Sequence, residues 1–529
     1  MISKILLLIR TVRHLKPVQI THQLYNRLKP VRNLNWYINK NNIQPGYIPL
    51  NFTLNYTTEN LIEGDTFNFL NISHNFENKI DWDYQQYGKL WNYNLQYFNF
   101  LHQPDVSSQA KQNLLIDIGL WLKTGKLKLE PYPVALRAMN TVRFISTENI
   151  TNSVIIDELY AQFAYLNRNL EYHLLGNHLL EDAFALFMGG HIFNMPDWKQ
   201  KAKNILYREL KEQILNDGGH FELSPMYHQI ILFRVLELVD WYSNTDGHDI
   251  EFLTFAKTKA RDMLGWLQII TFNNGDIPHF NDSAAGITFT SQQLFGLAQK
   301  LGVNPNKQLK LAASGYRKYG FDNYECVVDV GAVGPSYQPG HGHSDALSFV
   351  LYSKGLPIVV DAGTSTYQIG EKRNYERSTN AHNTVEVEDT NQSEVWGGFR
   401  VGRRAQVTIT ADVTHSLTAL HNGYQKKFAA IHQRTFIFAE DLIQIEDTIS
   451  EEKLVCKALF HFHSNCNVII QGNDKVLIDN IATIAFTNAI KLDIQKYELA
   501  NGYNKYLSAV CLVVFFNKEL KSIMRFNNN

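Results

Sequence analysis

Cysteine and net charge are both scarce in this chain of 529 residues. It contains 4 cysteines, and no two of them form a CxxC pair. Cys326, Cys456 and Cys511 lie in apolar, strand-like runs, so we expect buried free thiols rather than disulfides or zinc ligands. The 50 basic and 51 acidic side chains leave a formal net charge of -1. This balance excludes a nucleic-acid-binding protein with a uniformly basic surface.

Long apolar runs are also missing. No stretch reaches the length needed to span a bilayer. Only the apolar residues Ile5 to Ile9 separate Lys4 from Arg10, whereas the core of a secretion signal needs about 7–15. We therefore expect no standard secretion signal.

The first 58 residues are basic. No acidic residue precedes Glu59, whereas these basic residues do: Lys4, Arg10, Arg13, Lys16, Arg27, Lys29, Arg32 and Lys40. Either this segment is a solvated arm packed loosely on the main body, or it forms an amphipathic helix attracted to an anionic membrane surface. The short apolar face favours the loose arm.

Two different apolar periodicities divide the rest of the chain. Helical spacing predicts helices at 107–125, 154–175, 178–193, 198–215, 226–242 and 251–270. Alternation and β-branched runs predict strands at 326–333, 347–352, 358–361, 384–388, 405–410, 435–449, 454–463, 482–486 and 507–516. We expect an α+β multidomain protein: a basic arm at 1–58, helical hairpins in a curved barrel or solenoid at 59–320, and an antiparallel β-sandwich at 321–529.

The segment G-H-G-H-S-D at 340–345 is the most informative. Its second histidine, His343, is followed by Asp361 at the end of an apolar strand and by His382 in N-A-H-N-T. Two imidazoles and one carboxylate with an open position suit Zn²⁺. Histidines that only cap loops are an equally good interpretation of this spacing.

Three segments of the helical half carry further polar residues. Asn177 begins N-H-L-L-E-D, where capping a helix is the simplest role. Tyr227 ends the run G-G-H-F-E-L-S-P-M-Y and falls in the first turn of a predicted helix, where a side chain can point into a cleft. Asp276 lies in G-D-I-P-H-F-N-D, a polar turn that would line the same cleft together with Glu222.

Taken together, these segments resemble the heparinase II/III family of polysaccharide lyases and their alginate-acting relatives. The resemblance rests, in family order between residues 177 and 385, on N-H-L-L-E-D, G-G-H-F-E-x-S-P-M-Y-H, G-D-x-P-x-F-N-D, G-H-G-H-S-D, V-V-D-A-G-T and R-S-T-x-A-H-N-T-V. It implies an incomplete α/α toroid followed by a multi-sheet antiparallel domain, with the active site in the cleft between them. It also implies a periplasmic or extracellular protein, although the N-terminus leaves a cytoplasmic location open.

The same resemblance implies roles for individual residues. A zinc ion, most simply a structural one, would be bound by His343, Asp361 and His382. Asn177 and His178 would face the carboxylate of a uronate, and Tyr227 and His341 would transfer protons. Arg377 and Tyr375 would contact substrate, and the guanidinium of Arg137 suits a carboxylate or sulfate of the glycan.

β-Elimination explains why these residue types are needed. The reaction removes the C5 proton beside a carboxylate and expels the oxygen at C4. Hydrogen bonds from Asn177 and His178 would stabilise the charge that moves onto the carboxylate. An imidazole is neutral near pH 7 whereas a phenol must lose a proton to act as a base, so we expect His341 as base and Tyr227 as acid. Where both groups leave from one face, Tyr227 would serve both roles.

Three rival interpretations remain open. A glycoside hydrolase on the same helical scaffold would use Glu181 or Glu222 with Asp276. A non-catalytic glycan-binding or assembly protein of a bacterial polysaccharide locus would need none of the proton-transfer residues. A zinc hydrolase of small esters or amides is the third. Heparan-type, alginate-type and bacterial exopolysaccharide substrates, as well as any oligomeric state, are all compatible with the sequence.

Overall fold

The computed structural model describes residues 2–40, 46–77 and 79–527. The basic arm contains three helices, α1 (Ile2–Val12), α2 (Pro17–Leu28) and α3 (Leu34–Lys40). Leu34 and Tyr37 are buried in the main hydrophobic core, so the arm is anchored at this end rather than loosely attached. Within the described residues, no helix has the length and apolar character required to cross a membrane.

A small sheet precedes the helical half. It consists of β1 (Ile62–Glu63), β2 (Thr66–Phe69) and β3 (Ile72–Asn75). The helices that follow are α4 (Lys89–Tyr97), α5 (Ser108–Thr124), α6 (Pro131–Thr147), α7 (Ser153–Arg168), α8 (Gly176–Ile192), α9 (Pro196–Gln213), α10 (Pro225–Ser243), α11 (Ile250–Ile270) and α12 (Ser291–Lys300). Consecutive helices pack as hairpins, α8 on α9 and α10 on α11, while α6 contacts α7 and α8.

The helices of this half differ from the predicted segments in number and in length, since α4, α6 and α12 have no predicted counterpart. Helix α6 was not predicted, because its two prolines suggest a break; both lie in the first turn, where backbone N–H groups have no partner inside a helix. The helix predicted at 154–175 ends at Arg168. The chain then turns, and the carboxylate of Asp182 accepts a hydrogen bond of 2.7 Å from the backbone N–H of Glu171.

The C-terminal half is built from antiparallel sheets. Its strands are β4 (Tyr316–Phe321), β5 (Tyr324–Asp329), β6 (Phe349–Ser353), β7 (Leu356–Val359), β8 (Val385–Val387), β9 (Val395–Trp396), β10 (Arg400–Val401), β11 (Val407–Val413), β12 (Ser416–His421), β13 (His432–Ala439), β14 (Leu442–Ile449), β15 (Cys456–His461), β16 (Val468–Gln471), β17 (Lys475–Ile478), β18 (Ala482–Thr487), β19 (Lys491–Ala500), β20 (Tyr506–Phe516) and β21 (Glu519–Phe526). Two short helices are inserted, α13 (Glu371–Glu376) and α14 (Gln425–Phe428).

The strand order defines three main sheets. One is β4-β5-β6-β7, a second is β19-β20-β15-β8, and the third is the eight-stranded β11-β12-β13-β14-β21-β18-β17-β16. Apolar residues from all three share one core, as expected for a multi-sheet sandwich. The segment 435–449, predicted as one strand, is the hairpin β13–β14. The free cysteines are confirmed, with Cys326, Cys456 and Cys511 buried and Cys466 half-buried.

The two halves meet at the start of α10. The Ser224 hydroxyl caps this helix by accepting from the Tyr227 N–H and donates to the backbone oxygen of Asp282, at 2.7 Å. The Asp282 N–H in turn donates to the backbone oxygen of His341, at 3.1 Å. These bonds bring three distant polar segments of the sequence together at one junction.

Candidate active site at the junction of the two halves

Tyr227 and His341 stack against each other across the junction. Their ring centroids are 3.9 Å apart and the rings are inclined by 31°. Burial raises the pKa of Tyr227 well above the usual value of a tyrosine, and the nearby carboxylates of Asp282 and Glu222 act in the same direction. The side chain of His341 keeps 12% of its surface exposed, so a solute can reach it. The structure thus pairs a neutral phenol with an accessible imidazole.

Asp282 is the centre of the site, although nothing in its motif singles it out. Its carboxylate lies 2.9 Å from Nδ1 of His341 and 2.9 Å from Nε2 of His343. It also accepts two hydrogen bonds from Arg373, at 2.5 and 2.7 Å. Although burial opposes ionisation, Arg373 and the two histidines hold the pKa of Asp282 well below its usual range. An ionised, buried carboxylate therefore orients both histidines.

Tyr367 is a second residue that the motifs did not indicate. Its hydroxyl lies 3.3 Å from the hydroxyl of Tyr227, and the Arg373 guanidinium lies 4.9 Å from the centroid of its ring. Tyr375, which was predicted to contact substrate, lies elsewhere. It packs against the core cluster that contains Val360 and Leu459 and lines a separate cavity of about 350 Å³. Tyr375 therefore lies outside this junction, where Tyr367 is the tyrosine next to Tyr227.

Asn177 and Glu222 form a buried pair on the helical side of the site. The Asn177 amide donates to both carboxylate oxygens of Glu222, at 3.1 and 2.9 Å, and its backbone N–H donates at 3.0 Å. Glu222 also approaches the proposed base: its Oε2 lies 3.7 Å from Nε2 of His341. A Cβ added to Gly176 would lie 2.5 Å from Glu222 Oε1, so only glycine allows this approach. Asn177 therefore holds Glu222 instead of capping the helix.

His178 lies beside this pair with one ring nitrogen engaged. Its Nδ1 is 3.0 Å from Glu171 Oε2, and its ring centroid is 4.4 Å from that of Tyr132. Although burial lowers it, the Glu171 carboxylate raises the pKa of His178 above the usual value of a histidine. The side chain keeps 29% of its surface exposed. The Glu171 carboxylate therefore favours the charged form of His178, the residue next to Asn177.

The backbone is strained next to several of these residues. Leu175, Leu223 and Asn281 have φ values of 63°, 57° and 56°, in the left-handed region that favours glycine. In the sequence they are the neighbours of Gly176, Glu222 and Asp282, respectively. Such conformations cost about 1–3 kcal/mol each and persist where surrounding contacts fix them, commonly at functional sites. Here the Leu223 carbonyl accepts from Asn281 Nδ2 at 3.0 Å and from the hydroxyl of Tyr316.

The predicted zinc ligands lie close together in the interior. The rings of His343 and His382 have centroids 5.2 Å apart, and His382 Nδ1 lies 2.7 Å from Asp361 Oδ2. Nδ1 of His343 and Nε2 of His382 are buried and lack a hydrogen-bond partner among the described residues. Two unpartnered imidazole nitrogens are consistent with a metal site. Nevertheless, residues 2–40, 46–77 and 79–527 contain no group of three or more His, Cys, Asp or Glu side chains arranged to hold a metal ion.

Three other predicted substrate contacts are buried against the protein itself or lie on an exposed turn. Arg377 is buried and donates to the carbonyls of Gly342 and Gly397, at 2.9 and 3.2 Å, so it braces the histidine segment instead of facing a ligand. Arg137 is buried at 1% exposure and donates to Gln162 and to the carbonyl of Gln96. Asp276 lies on an exposed turn and accepts from Asn274 at 2.7 Å.

The carboxylates that a glycoside hydrolase would need on this scaffold are not paired with each other. Glu181 is fully buried and lies 2.9 Å from Arg234, while Asp276 occupies its exposed turn. Glu222 is held by Asn177. The arrangement does not present Glu181 and Asp276 to a common substrate.

Packed helical hairpins, followed by stacked antiparallel sheets with an acid–base pair at their junction, define a toroid-and-sandwich protein. Residues 134–308 match the family model described as heparinase II/III N-terminus, and residues 304–514 match the model described as heparinase II/III-like, C-terminal. The chain belongs to the heparinase II/III-like family. This confirms the resemblance that the motifs indicated.

Two curated proteins are similar to this chain in sequence. It is 26% identical over 255 residues to a heparin-sulfate lyase of Bacteroides stercoris, covering 42% of this chain and 37% of that protein. It is 25% identical over 286 residues to a heparin-sulfate lyase of Pedobacter heparinus, covering 47% and 41%. The chain thus matches only about two fifths of the length of these curated relatives.

Solved structures show the same architecture. A heparinase III aligns with a TM-score of 0.65 at 16% identity and covers 86% of this chain and 80% of that chain. The heparan sulfate lyase of Pedobacter heparinus aligns with a TM-score of 0.58 at 17% identity, covering 95% and 84%. The predicted fold, a helical toroid followed by an antiparallel sandwich, is confirmed.

Proposed function

We propose that this protein is a polysaccharide lyase that cleaves an acidic, uronate-containing glycan by β-elimination. The observation that carries the proposal is the contact between Tyr227 and His341, in which a carboxylate holds the imidazole and a tyrosine lies on its ring. The curated relatives are named heparin-sulfate lyases, which makes a sulfated glycosaminoglycan the first substrate class to test. Alginate and bacterial exopolysaccharides are the alternatives.

His341 is the proposed base. Because the ionised Asp282 accepts from Nδ1, the neutral ring carries its hydrogen there and leaves the Nε2 lone pair for the C5 proton of the uronate. The negative charge of Asp282 then stabilises the imidazolium that forms, as in catalytic triads. Asp282 acts through His341 and is therefore a positioning residue.

Tyr227 is the proposed acid. Its raised pKa keeps the phenol protonated, so it is a proton donor in the resting enzyme rather than a base. It would deliver its proton to the oxygen at C4 as the glycosidic bond breaks. The Tyr367 hydroxyl, 3.3 Å away, would stabilise the phenolate until it regains a proton.

His178 is the proposed group that neutralises the uronate carboxylate. Its raised pKa favours the imidazolium, and Glu171 occupies Nδ1, so Nε2 is the nitrogen available to a ligand. A positive donor at the carboxylate stabilises the charge that develops after C5 is deprotonated. Asn177 assists by fixing Glu222 beside His341.

A structural zinc ion is part of the proposal. His343 and His382 would hold it through the two nitrogens that have no partner in the described chain. Asp361 would orient His382 or complete the coordination, since carboxylate-bound histidines are common around zinc. The metal would supply rigidity to the segment that carries His341.

The decisive test is a screen for a new carbon–carbon double bond. The purified chain is incubated with heparan sulfate, heparin and alginate, and near-ultraviolet absorbance of an unsaturated uronate is followed. We expect product with at least one polymer, and Tyr227→Phe and His341→Ala should lower kcat by about 10²–10⁴. Tyr506→Phe and His415→Ala, which alter exposed residues, are the matched controls.

Two results of this screen would overturn the proposal. New reducing ends without any unsaturated product would identify a hydrolase. Binding of these polymers with no product of either kind would identify a glycan-binding protein.

A further inference from the structure

Helix α1 has one face that contacts the protein and one face that is exposed. On the inner side Arg10 Nε lies 2.7 Å from Glu394 Oε2, and Trp396 Nε1 donates to the Thr11 hydroxyl at 3.1 Å. The opposite side is apolar and between 39% and 58% exposed, with residues at helical spacing: Ile5, Leu8, Ile9 and Val12. The inner contacts fix the helix with this apolar stripe facing outward.

Helix α2 repeats the same arrangement. Gln19 is buried on its inner side and donates to the carbonyl of Leu174 at 3.2 Å. The outer side exposes large apolar residues, from 36% at Val18 to 86% at Leu28, and includes Leu24 and Tyr25. Monomeric soluble proteins rarely expose large apolar side chains in groups of this kind, and such groups commonly mark an interaction surface.

The charge of the same segment is of one sign. Eight basic residues and no acidic residue precede Glu59. Arg13, Arg27 and Arg32 are exposed next to the apolar residues of α1 and α2. An apolar stripe flanked by cations is complementary to a surface that is apolar inside and anionic outside.

We propose that the outer faces of α1 and α2 dock on the surface of an anionic lipid bilayer. The apolar side chains would enter the boundary between headgroups and acyl chains, and the arginines would contact the phosphates. A second copy of this chain fits less well, because pairing through the same patch places two sets of like charges together. The docking goes beyond the lyase activity and does not depend on it.

Co-sedimentation with lipid vesicles tests the docking. The full chain is mixed with phosphatidylglycerol vesicles and, separately, with phosphatidylcholine vesicles at low salt. We expect binding to the anionic vesicles, weak binding to the zwitterionic ones, and release as the salt concentration rises. Arg13→Glu/Arg27→Glu/Arg32→Glu should weaken binding by about a hundredfold or more.

Matched apolar variants distinguish binding through this patch from non-specific hydrophobic binding to the vesicles. Ile5→Ser/Ile9→Ser/Leu24→Ser/Leu28→Ser should weaken binding at least about tenfold. Val413→Ser/Ile490→Ser, which changes two apolar residues exposed elsewhere by 62% and 63%, should leave it unchanged. Both variants should keep the wild-type melting temperature.

Three results would overturn the proposal. The first is no vesicle binding by the wild-type chain. The second is equal loss of binding in the Val413/Ile490 control. The third is a dimer, measured by analytical ultracentrifugation, that the quadruple serine variant abolishes while vesicle binding persists.

Discussion

The Asp282 carboxylate connects His341 to Arg373: one oxygen lies 2.9 Å from the imidazole, and the guanidinium donates to both. We predict that Asp282→Asn lowers kcat by about 10²–10⁴, because the amide no longer fixes the tautomer of His341 or stabilises its imidazolium. The variant should also lose about 3–5 kcal/mol of unfolding free energy, because Arg373 is left buried without its counter-charge.

Asp282→Asn/Arg373→Met distinguishes the two effects of Asp282. Removing the buried cation should restore much of the unfolding free energy, measured by urea titration, without restoring kcat. A double variant that regains activity together with stability would show that Asp282 is only structural.

The pH dependence should respond to Glu171. Glu171 raises the pKa of His178 above the usual histidine value of 6.5. The pair therefore stabilises the fold fully below that value, and this contribution is lost as the pH rises through the folded pKa. We predict that Glu171→Gln moves the alkaline limb of kcat/KM to lower pH. It should also lower the unfolding free energy more at about pH 6 than at about pH 9. An alkaline limb that does not move would exclude His178 as the group that titrates.

Tyr367 and Tyr375 should behave differently although both are tyrosines of one segment. Tyr367→Phe removes the hydroxyl 3.3 Å from that of Tyr227 and should lower kcat about three- to tenfold, the worth of one hydrogen bond. Tyr375 lies outside the junction, so Tyr375→Phe should leave kcat unchanged. Steady-state rates on one polymer compare the two. A larger loss of kcat in Tyr375→Phe than in Tyr367→Phe would indicate that Tyr375 belongs to the active site.

Metal content tests the paired histidines. We predict about one zinc ion per chain by mass spectrometry after dialysis, and its loss in His382→Ala. A chelator should lower the melting temperature of the wild-type chain but not that of the variant. His415→Ala, an exposed histidine of the same half, is the control. Wild-type protein that folds and melts identically with and without chelator, and contains no zinc, would contradict the prediction.

Periodicity was sufficient to predict most of the fold. Helix α5 buries one side, and strand β18 alternates between buried and more exposed residues, so the apolar pattern alone locates both. Helix α6 was missed because prolines are excluded from a helix interior but accepted in its first turn. The β13–β14 hairpin was missed because a two-residue turn at 440–441 hardly interrupts an apolar run.

The site was predictable only in part. Motifs selected Tyr227 and His341, which the structure brings into contact. They could not select Asp282, because its partners are 59 and 91 residues away in the sequence and no local spacing connects them. The backbone partners of Arg377 could not be predicted either, because an exposed and a buried arginine look alike in a sequence, and only the fold shows that it donates to backbone carbonyls.

The proposed acid and base belong to different structural modules. The two family matches meet at residues 304–308, with Tyr227 and Asn177 on one side of that point and His341 on the other. Neither module, produced alone, would contain a complete set of reacting groups. A recombinant exchange of one module for that of a relative would therefore be a direct way to combine the acid of one enzyme with the base of another.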